Sequence, residues 1–166
     1  MGLETTDPRL HRGVTNRRSK RRSYKIREIV PGDLNNGFLE ALSNLSLVRG
    51  LEPEDAKSLL LKIKLNPFHK IFVALNESAK VVGTTTLIIE QKFIHDGGLV
   101  GHIEDVSVRK GNEGGGVGSA LIKKALETAE EFGCYKVILD CSKDLTRFYE
   151  RLGFRKHEVA MRKDLP

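Results

Sequence analysis

The sequence has no tryptophan, only two cysteines and no long apolar run, and each shortage excludes a class of protein. No segment approaches the roughly 20 apolar residues that a membrane-spanning helix requires, and the N-terminus lacks the apolar stretch of a signal peptide. We therefore expect an intracellular, cytoplasmic protein. Two cysteines cannot build a disulfide scaffold. We expect Cys134 and Cys141 to be reduced thiols in the core, and we expect no metal site.

The chain is long enough for one domain and carries its excess charge in one place. Its 166 residues, 39% of them apolar, can close one sizeable core but are too few for two ordinary domains. Residues 1–23 hold seven basic and two acidic groups, whereas the other 143 residues hold 21 basic and 20 acidic groups. Because residues 1–23 are poor in apolar side chains, we expect a flexible basic extension before a domain at 24–166. For the nearly neutral domain we expect neither a membrane nor a nucleic-acid partner.

The role of the basic extension stays open. The run from Arg17 to Arg22 is compatible with a solvated segment, with a nuclear-localisation or phosphate-binding patch, and with organellar targeting.

The hydrophobic pattern of the first half predicts a strand followed by two helices. Alternation over residues 24–30 predicts the strand, and Asp33 looks like the N-cap of a helix with apolar residues spaced over 34–45. A second helix is predicted over 52–63, with proline in its first turn.

Further strands then alternate with turns and helices. The predicted elements are strands at 71–75, at 81–90 with a continuation to His95 and at 100–108, a glycine-rich loop, a helix at 119–132, a strand at 136–140, a short helix around Phe148, and a last strand after Gly153. An antiparallel meander followed by strand, helix and strand predicts an α/β (α+β) fold with a mixed, mostly antiparallel sheet flanked by helices.

The glycine-rich loop is the densest functional signal. Five glycines fall within residues 111–118. Such a loop exposes backbone N–H groups to an anion, and the positive end of the next helix adds to the attraction, so we expect a phosphate-bearing ligand. A P-loop would need Gly-Lys-Ser/Thr, but Val117-Gly118-Ser119 has no lysine. A dinucleotide-binding turn stays open through Asp140, although its place late in the chain counts against it.

The order of elements here, a strand followed by a glycine-rich turn and a helix, resembles motif A of the GNAT superfamily of N-acetyltransferases. In that motif, Gln/Arg-x-x-Gly-x-Gly/Ala binds the pyrophosphate of coenzyme A. Here it reads Glu113-x-x-Gly116-x-Gly118, with a carboxylate in the first position. The segments Lys92–His95, Gly101–Val106 and Cys134–Cys141, with Phe148-Tyr149-Glu150, narrow the resemblance to the glucosamine-6-phosphate N-acetyltransferases over residues 24–162.

This resemblance implies a function and an assembly. The expected co-substrate is acetyl-CoA, and the expected acceptor is glucosamine 6-phosphate, in the amino-sugar metabolism that leads to UDP-N-acetylglucosamine. The family is generally homodimeric, with pockets completed across the interface. Two alternatives stay open: acetylation of another small amine or a protein N-terminus, and a regulatory module in which Glu113 has impaired cofactor binding.

The chemistry assigns two catalytic residues. Acetylating an amine from a thioester needs a neutral amine, a polarised carbonyl and an acid for the departing thiolate. Tyr149, of reference pKa about 10, is the expected acid, and a packed core tyrosine is the alternative. Unless a bulge intervenes, Glu104 shares a strand face with Val106 and Val108, so we expect a raised pKa and a role in taking the amine's proton. A buried ion pair with a lysine is the alternative.

The remaining site residues follow from the resemblance. The expected cofactor-binding residues are Val106, Ser107, Val108, Glu113, Gly114, Gly115, Gly116, Val117, Gly118, Asp140 and Tyr149. The expected substrate-binding residues are Ser46, Lys92, His95, Glu104, Asp105, Tyr135 and Lys136. Among these, two lysines and a histidine supply cations for the phosphate and Tyr135 supplies a neutral donor. For Asp140, capping of the next helix is an almost equally good account.

Overall fold

A five-stranded sheet forms the centre of the computed structural model, which describes residues 23–46 and 51–165. The strands are β1 (Lys25–Glu28), β2 (His69–Leu75), β3 (Val81–Gln91), β4 (Leu99–Val108) and β5 (Cys134–Ile138). They lie in chain order across the sheet, with β1 to β4 antiparallel and β5 parallel to β4. The expected mixed, mostly antiparallel sheet is confirmed. Apart from Ser23, the predicted basic extension lies outside the described residues.

Helices cover both faces of this sheet. They are α1 (Phe38–Leu42), α2 (Pro53–Lys64), the single turn α3 (Ile94–Gly97), α4 (Val117–Glu131) and α5 (Thr146–Glu150). Alternate residues of β2 point to opposite faces: Phe72 packs in the core under α4, and Val73 packs in the core under α1 and α2. The central strand β3 is therefore buried on both sides. No helix in the described ranges is long and apolar enough to cross a membrane.

Asp33 closes a turn instead of capping the predicted helix. Its carboxylate accepts hydrogen bonds from the Arg27 guanidinium at 2.6 and 2.7 Å and from the Val30 N–H at 2.8 Å. Burial alone raises the pKa of Asp33, but the hydrogen bonds from Arg27 and Val30 outweigh burial and hold this pKa below its usual value. The chain folds into a 3₁₀ turn at Pro31–Asn35. Gly37, with φ of 104°, then separates this turn from α1, so the helix predicted over 34–45 is shortened to five residues.

Two predicted strand segments are wrong. β3 ends at Gln91, and His95, with φ of 53°, lies in the connection to β4. The strand predicted after Gly153 is not formed, since residues 154–165 have no regular secondary structure. Val159 and Met161 are 85% and 91% exposed. A strand needs a neighbour to pair with and a surface to cover its apolar side chains, and the described part of a single chain gives this segment neither.

Candidate active site

β4 extends beyond the end of its parallel neighbour β5. Their parallel pairing starts at Leu99 opposite Cys134 and ends at His102 opposite Ile138. β4 then continues to Val108, and within the described residues this stretch has no β5 partner. Backbone N–H and C=O groups need partners. The open side of β4 is therefore suited to binding an extended ligand through its backbone.

The glycine loop lies at the end of this open stretch. Gly114 and Gly116 have φ of 73° and 87°, a conformation that favours glycine. Helix α4 begins at Val117 after Gly116, which provides no side-chain cap. The N–H groups of residues 117–119 therefore have no acceptor in the helix, and they lie at its positive end. This arrangement can bind an anion.

Close packing also requires glycine in this loop. A Cβ atom at Gly115 would lie 2.5 Å from the Oη of Tyr24, and one at Gly118 would lie 3.3 Å from Cζ of Phe148 in α5. The loop is thus held against β1 and α5 while its backbone stays uncovered. The residues predicted to bind a pyrophosphate fit that role.

Glu113 is the departure from the motif, and its side chain folds back on the loop. One carboxylate oxygen accepts a hydrogen bond of 2.5 Å from the N–H of Gly111. The negative charge is therefore partly compensated by a backbone dipole at the start of the loop.

A β-bulge at Asp105 interrupts β4. The register with β3 shifts here, so that Thr85 lies opposite both Asp105 and Val106. Asp105 has φ of 50°, which is uncommon for a residue other than glycine. The hydroxyl of Thr85 donates a hydrogen bond of 3.3 Å to the carbonyl of Glu104. This bond stabilises the bulge on the side of β3.

The bulge decides the direction of Glu104. Residues directly opposite one another in a sheet point to the same face. Glu104 lies opposite Thr86, which lies opposite Ile71 in the core under α1 and α2. Val106 and Val108 pack against the other core, under α4. Glu104 therefore does not share a face with these valines: the bulge is the exception that the sequence left open, and the extra residue reverses the alternation.

Glu104 nevertheless has the raised pKa that was expected. Glu104 is exposed, but partial burial of its carboxyl raises this pKa most, the negative charges of Asp105 and Asp140 raise it further, and His102 lowers it by a smaller amount. Among the described residues, no lysine or arginine forms a salt bridge with Glu104, so the alternative of a buried ion pair does not hold there. Such a carboxylate takes up a proton more readily than an ordinary glutamate.

Asp105 and Thr86 lie on the wall of a cavity of about 240 Å³ between the sheet and the helices α1 and α2. The rest of the lining is mostly leucine, isoleucine and phenylalanine. Glu104 points to the same face of the sheet, so its carboxylate lies on the side that carries α1 and α2.

Tyr149 has a packed ring and a raised pKa. The residue is 6% exposed, and its ring packs edge-on against Phe148 and Phe154 at centroid distances of 4.9 and 5.8 Å. Burial raises the pKa of its hydroxyl, and the charge of Cys141 raises it further. The ring therefore packs in the core, as in the alternative interpretation of Tyr149 as a core tyrosine. The hydroxyl stays protonated at neutral pH, as an acid must.

Three of the predicted phosphate-binding residues meet at the start of β5. His95 stacks on Tyr135 with ring centroids 4.3 Å apart, and the Lys136 ammonium lies 5.7 Å from the centroid of the same ring. Lys92 is engaged elsewhere, since its ammonium lies 2.6 Å from the carboxylate of Glu90.

Sequence reasoning missed Glu90 and His102. A carboxylate oxygen of Glu90 lies 2.9 Å from Nε2 of His102, and the pKa of Glu90 is lowered first by Lys92 and then by His102. His102 lies two residues before Glu104 and so on the same face of β4. The spacing of two residues between His102 and Glu104 could have indicated that they share a face. Nothing in the sequence indicated that Glu90, on the neighbouring strand, pairs with His102.

Several other predicted site residues have structural partners or are exposed. The buried hydroxyl of Ser107 donates to the carbonyl of Ala41 at 2.6 Å, and the side chain of Asn44 donates to the carbonyl of Val108 at 2.6 Å. Both bonds tie the end of α1 to β4. Ser46 is exposed just beyond α1.

The chain after β5 is more exposed than the sequence predicts. Asp140 does not cap the next helix, because Ser142 precedes the 3₁₀ turn Lys143–Leu145. Cys134 is partly buried as expected, but Cys141 is exposed. The expectation of two core thiols fails for Cys141 because β5 ends at Ile138, on the edge of the sheet. The described ranges hold no cluster of three His, Cys, Asp or Glu side chains that could bind a metal ion.

Comparison with known proteins places this architecture in a family. The Acetyltransferase (GNAT) family model matches residues 38–154, which include the bulge, the glycine loop and α5. The glucosamine 6-phosphate N-acetyltransferase of Trypanosoma brucei brucei is 50% identical over 142 residues, covering 85% of this chain and 95% of that protein. That of Candida albicans is 39% identical over 139 residues, covering 83% and 93%.

A solved structure agrees with these sequence matches. The glucosamine-6-phosphate N-acetyltransferase from Arabidopsis thaliana superposes with a TM-score of 0.83 at 32% identity, over 87% of this chain and 99% of that chain. The chain therefore belongs to the GNAT family of acetyltransferases and, within it, to the glucosamine 6-phosphate N-acetyltransferases.

Proposed function

We propose that the protein transfers the acetyl group of acetyl-CoA to the 2-amino group of glucosamine 6-phosphate. The observation that carries the proposal is the stretch of β4 beyond the end of β5, followed by a glycine loop that can bind an anion. Glu104 lies on this stretch of β4, and Tyr149 lies in α5, where its neighbour Phe148 packs against Gly118 of the loop. Relatives that match most of the chain bear the name of this activity. The reaction belongs to amino-sugar metabolism.

Acetyl-CoA supplies the acetyl group as a thioester, and the chain offers two sets of groups to hold it. The N–H groups of the loop from Glu113 to Gly118 face its phosphates. Val106, Ser107 and Val108 lie on the stretch of β4 beyond β5, where the Val108 carbonyl already accepts a hydrogen bond from Asn44, and Asp140 follows the end of β5. A backbone N–H near Val106 polarises the carbonyl.

The two catalytic residues handle the protons of the transfer. The sugar nitrogen forms a bond to the acetyl carbon as the carbon–sulfur bond breaks. Glu104, whose pKa is raised, accepts the proton that the nitrogen loses. Tyr149 donates its phenolic proton to the departing sulfur and regains a proton from solvent. Tyr149 therefore acts in the protonated form that its surroundings favour, whereas the raised pKa of Glu104 makes its carboxylate a stronger base than an ordinary glutamate.

The sugar phosphate binds near Tyr135. Lys136 and His95 lie on this ring and supply positive charge, and Tyr135 supplies a neutral donor. Because the charge of Lys92 is already paired with Glu90, Lys136 contributes most to phosphate binding. Ser46 and Asp105 complete the acceptor pocket.

The acceptor assignment is tested by thiol release with glucosamine 6-phosphate and with glucosamine. We expect kcat/KM to be about 100-fold higher for the phosphorylated sugar, since each charge-assisted hydrogen bond contributes about 1.5–3 kcal/mol. Lys136→Met should remove much of this preference by raising KM for the phosphorylated sugar alone. Lys123→Met, on the exposed face of α4, is the matched control and should leave kcat/KM unchanged for both substrates. Equal kcat/KM for the two sugars in the native protein would exclude the assignment.

The homodimer is the second part of the proposal. β5 is the last strand of the described sheet, and its outer edge has no strand beside it. Residues 155–165 are exposed and have no regular secondary structure, and Val159, Met161 and Leu165 are among them. An open strand edge and apolar side chains without cover favour pairing with a second copy.

Deletion of residues 155–166 is expected to convert the dimer into a monomer, because it removes these apolar side chains. Sedimentation equilibrium at micromolar concentration measures the mass of both forms. A full-length protein that sediments as a monomer, or a truncated one that stays dimeric, would contradict this expectation.

A further inference from the structure

Tyr24 brings a buried hydroxyl to the glycine loop. It lies just before β1, and its ring packs against the core under α4. Its Oη atom is buried and has no hydrogen-bond partner among the described residues. The same atom lies 2.5 Å from the position that a Cβ atom at Gly115 would take. The hydroxyl therefore reaches the loop at a residue that has no side chain.

This placement is unfavourable for the protein as it stands. A buried hydroxyl without an acceptor costs the desolvation of its O–H group, whereas a phenylalanine would fill nearly the same volume without that cost. Gly115, which the hydroxyl approaches, belongs to the loop proposed to bind the cofactor's phosphates. If the loop changes conformation so that one of its carbonyl groups accepts a hydrogen bond from the Tyr24 hydroxyl, that conformation is stabilised relative to the present one.

We propose that Tyr24 is a positioning residue for the cofactor loop. Its hydroxyl lacks an acceptor in the free protein and gains one from the loop backbone when the loop closes on the cofactor's phosphates. The hydrogen bond then favours the ligated form of the loop over the free form. This inference rests on the proposed use of acetyl-CoA, and it adds a contact from the residue just before β1, outside the loop motif.

The first test is Tyr24→Phe, which removes the hydroxyl and keeps the ring. We expect calorimetry to show a Kd for CoA raised roughly three- to tenfold, the effect of one net hydrogen bond. Without CoA, the Tm of the variant should equal or exceed that of the native protein, because the unpaired donor is gone. The Kd of acetyl-pantetheine, which has no pyrophosphate, should not change.

The second test is Gly115→Ala in both backgrounds. The φ of Gly115 is outside the left-handed region, so alanine is compatible with the backbone, but its Cβ would collide with the Tyr24 hydroxyl. The next atom of that ring, Cζ, is 3.6 Å away, which is an ordinary contact. Gly115→Ala should therefore raise the Kd for CoA strongly when Tyr24 is present and only slightly in the Tyr24→Phe protein.

The outcomes separate this inference from the proposed function. If the native protein does not bind acetyl-CoA, both fail. If it binds and Tyr24→Phe binds equally well, only the role of Tyr24 is overturned. A lower Tm of the free variant, with CoA and acetyl-pantetheine weakened alike, would show a general structural role and would also overturn it.

Discussion

Tyr149→Phe is expected to lower kcat by about 100-fold or more, with little change in KM for acetyl-CoA. The substitution keeps the ring that packs against Phe148 and Phe154 and removes only the proton that the departing sulfur takes. General acid catalysis contributes at least about this factor. Steady-state thiol release, with the Tm as a check on folding, measures both quantities.

The pH dependence of kcat tests the same role. Burial, together with the charge of Cys141, raises the pKa of Tyr149. The kcat of the native protein should therefore stay constant up to a higher pH than it would with a tyrosine of ordinary pKa. It should fall as the pH rises through that raised pKa, and the variant should lack this fall. Tyr135→Phe is the comparison, since it should raise KM for glucosamine 6-phosphate and leave kcat nearly unchanged. A loss of less than about tenfold in Tyr149→Phe would remove the acid role.

Glu104→Gln is expected to lower kcat/KM for glucosamine 6-phosphate by about 100-fold, because the amide cannot accept the amine's proton. Burial raises the pKa of Glu104, and the carboxylates of Asp105 and Asp140 raise it further. Below this pKa the residue is protonated and cannot act as a base. Activity of the native protein should therefore decline, as the pH falls, at a higher pH than for an ordinary glutamate.

Asp105→Asn provides a matched control for this electrostatic argument. Asparagine tolerates the left-handed backbone of the bulge, so the substitution removes one negative charge and keeps the geometry. The pKa of Glu104 should fall, and the acidic limb of kcat/KM should move to lower pH. An acidic limb that is unchanged in Asp105→Asn, or that persists in Glu104→Gln, would show that another group sets it.

The elements that the sequence predicted well are those with a local signal. The predicted bounds of β2 and α2 lie within a few residues of the observed ones, because alternation and helical spacing depend only on residues close together in the sequence. The loop at 111–118 and the helix after it were found for the same reason, since glycine spacing and the start of an apolar stripe are local. The resemblance in these segments also led to the family to which the chain belongs.

The sequence did not give the contacts that link distant segments. The bulge at Asp105 reverses the face of Glu104 because Thr85 has two residues opposite it, and strand register depends on the partner strand. The pairing of Glu90 with His102, and the Tyr24 hydroxyl beside Gly115, likewise join residues far apart in the chain.

The sequence by itself therefore determined most of the order of elements, the glycine loop at 111–118 and the family, since each depends on short-range spacing and motifs. The tertiary structure alone decided where the pairing of β4 with β5 ends, which face carries Glu104, and that Lys92 is paired while Lys136 lies on Tyr135. Those features arise from strand register and packing between segments far apart in the chain, and local pattern carries no information on either.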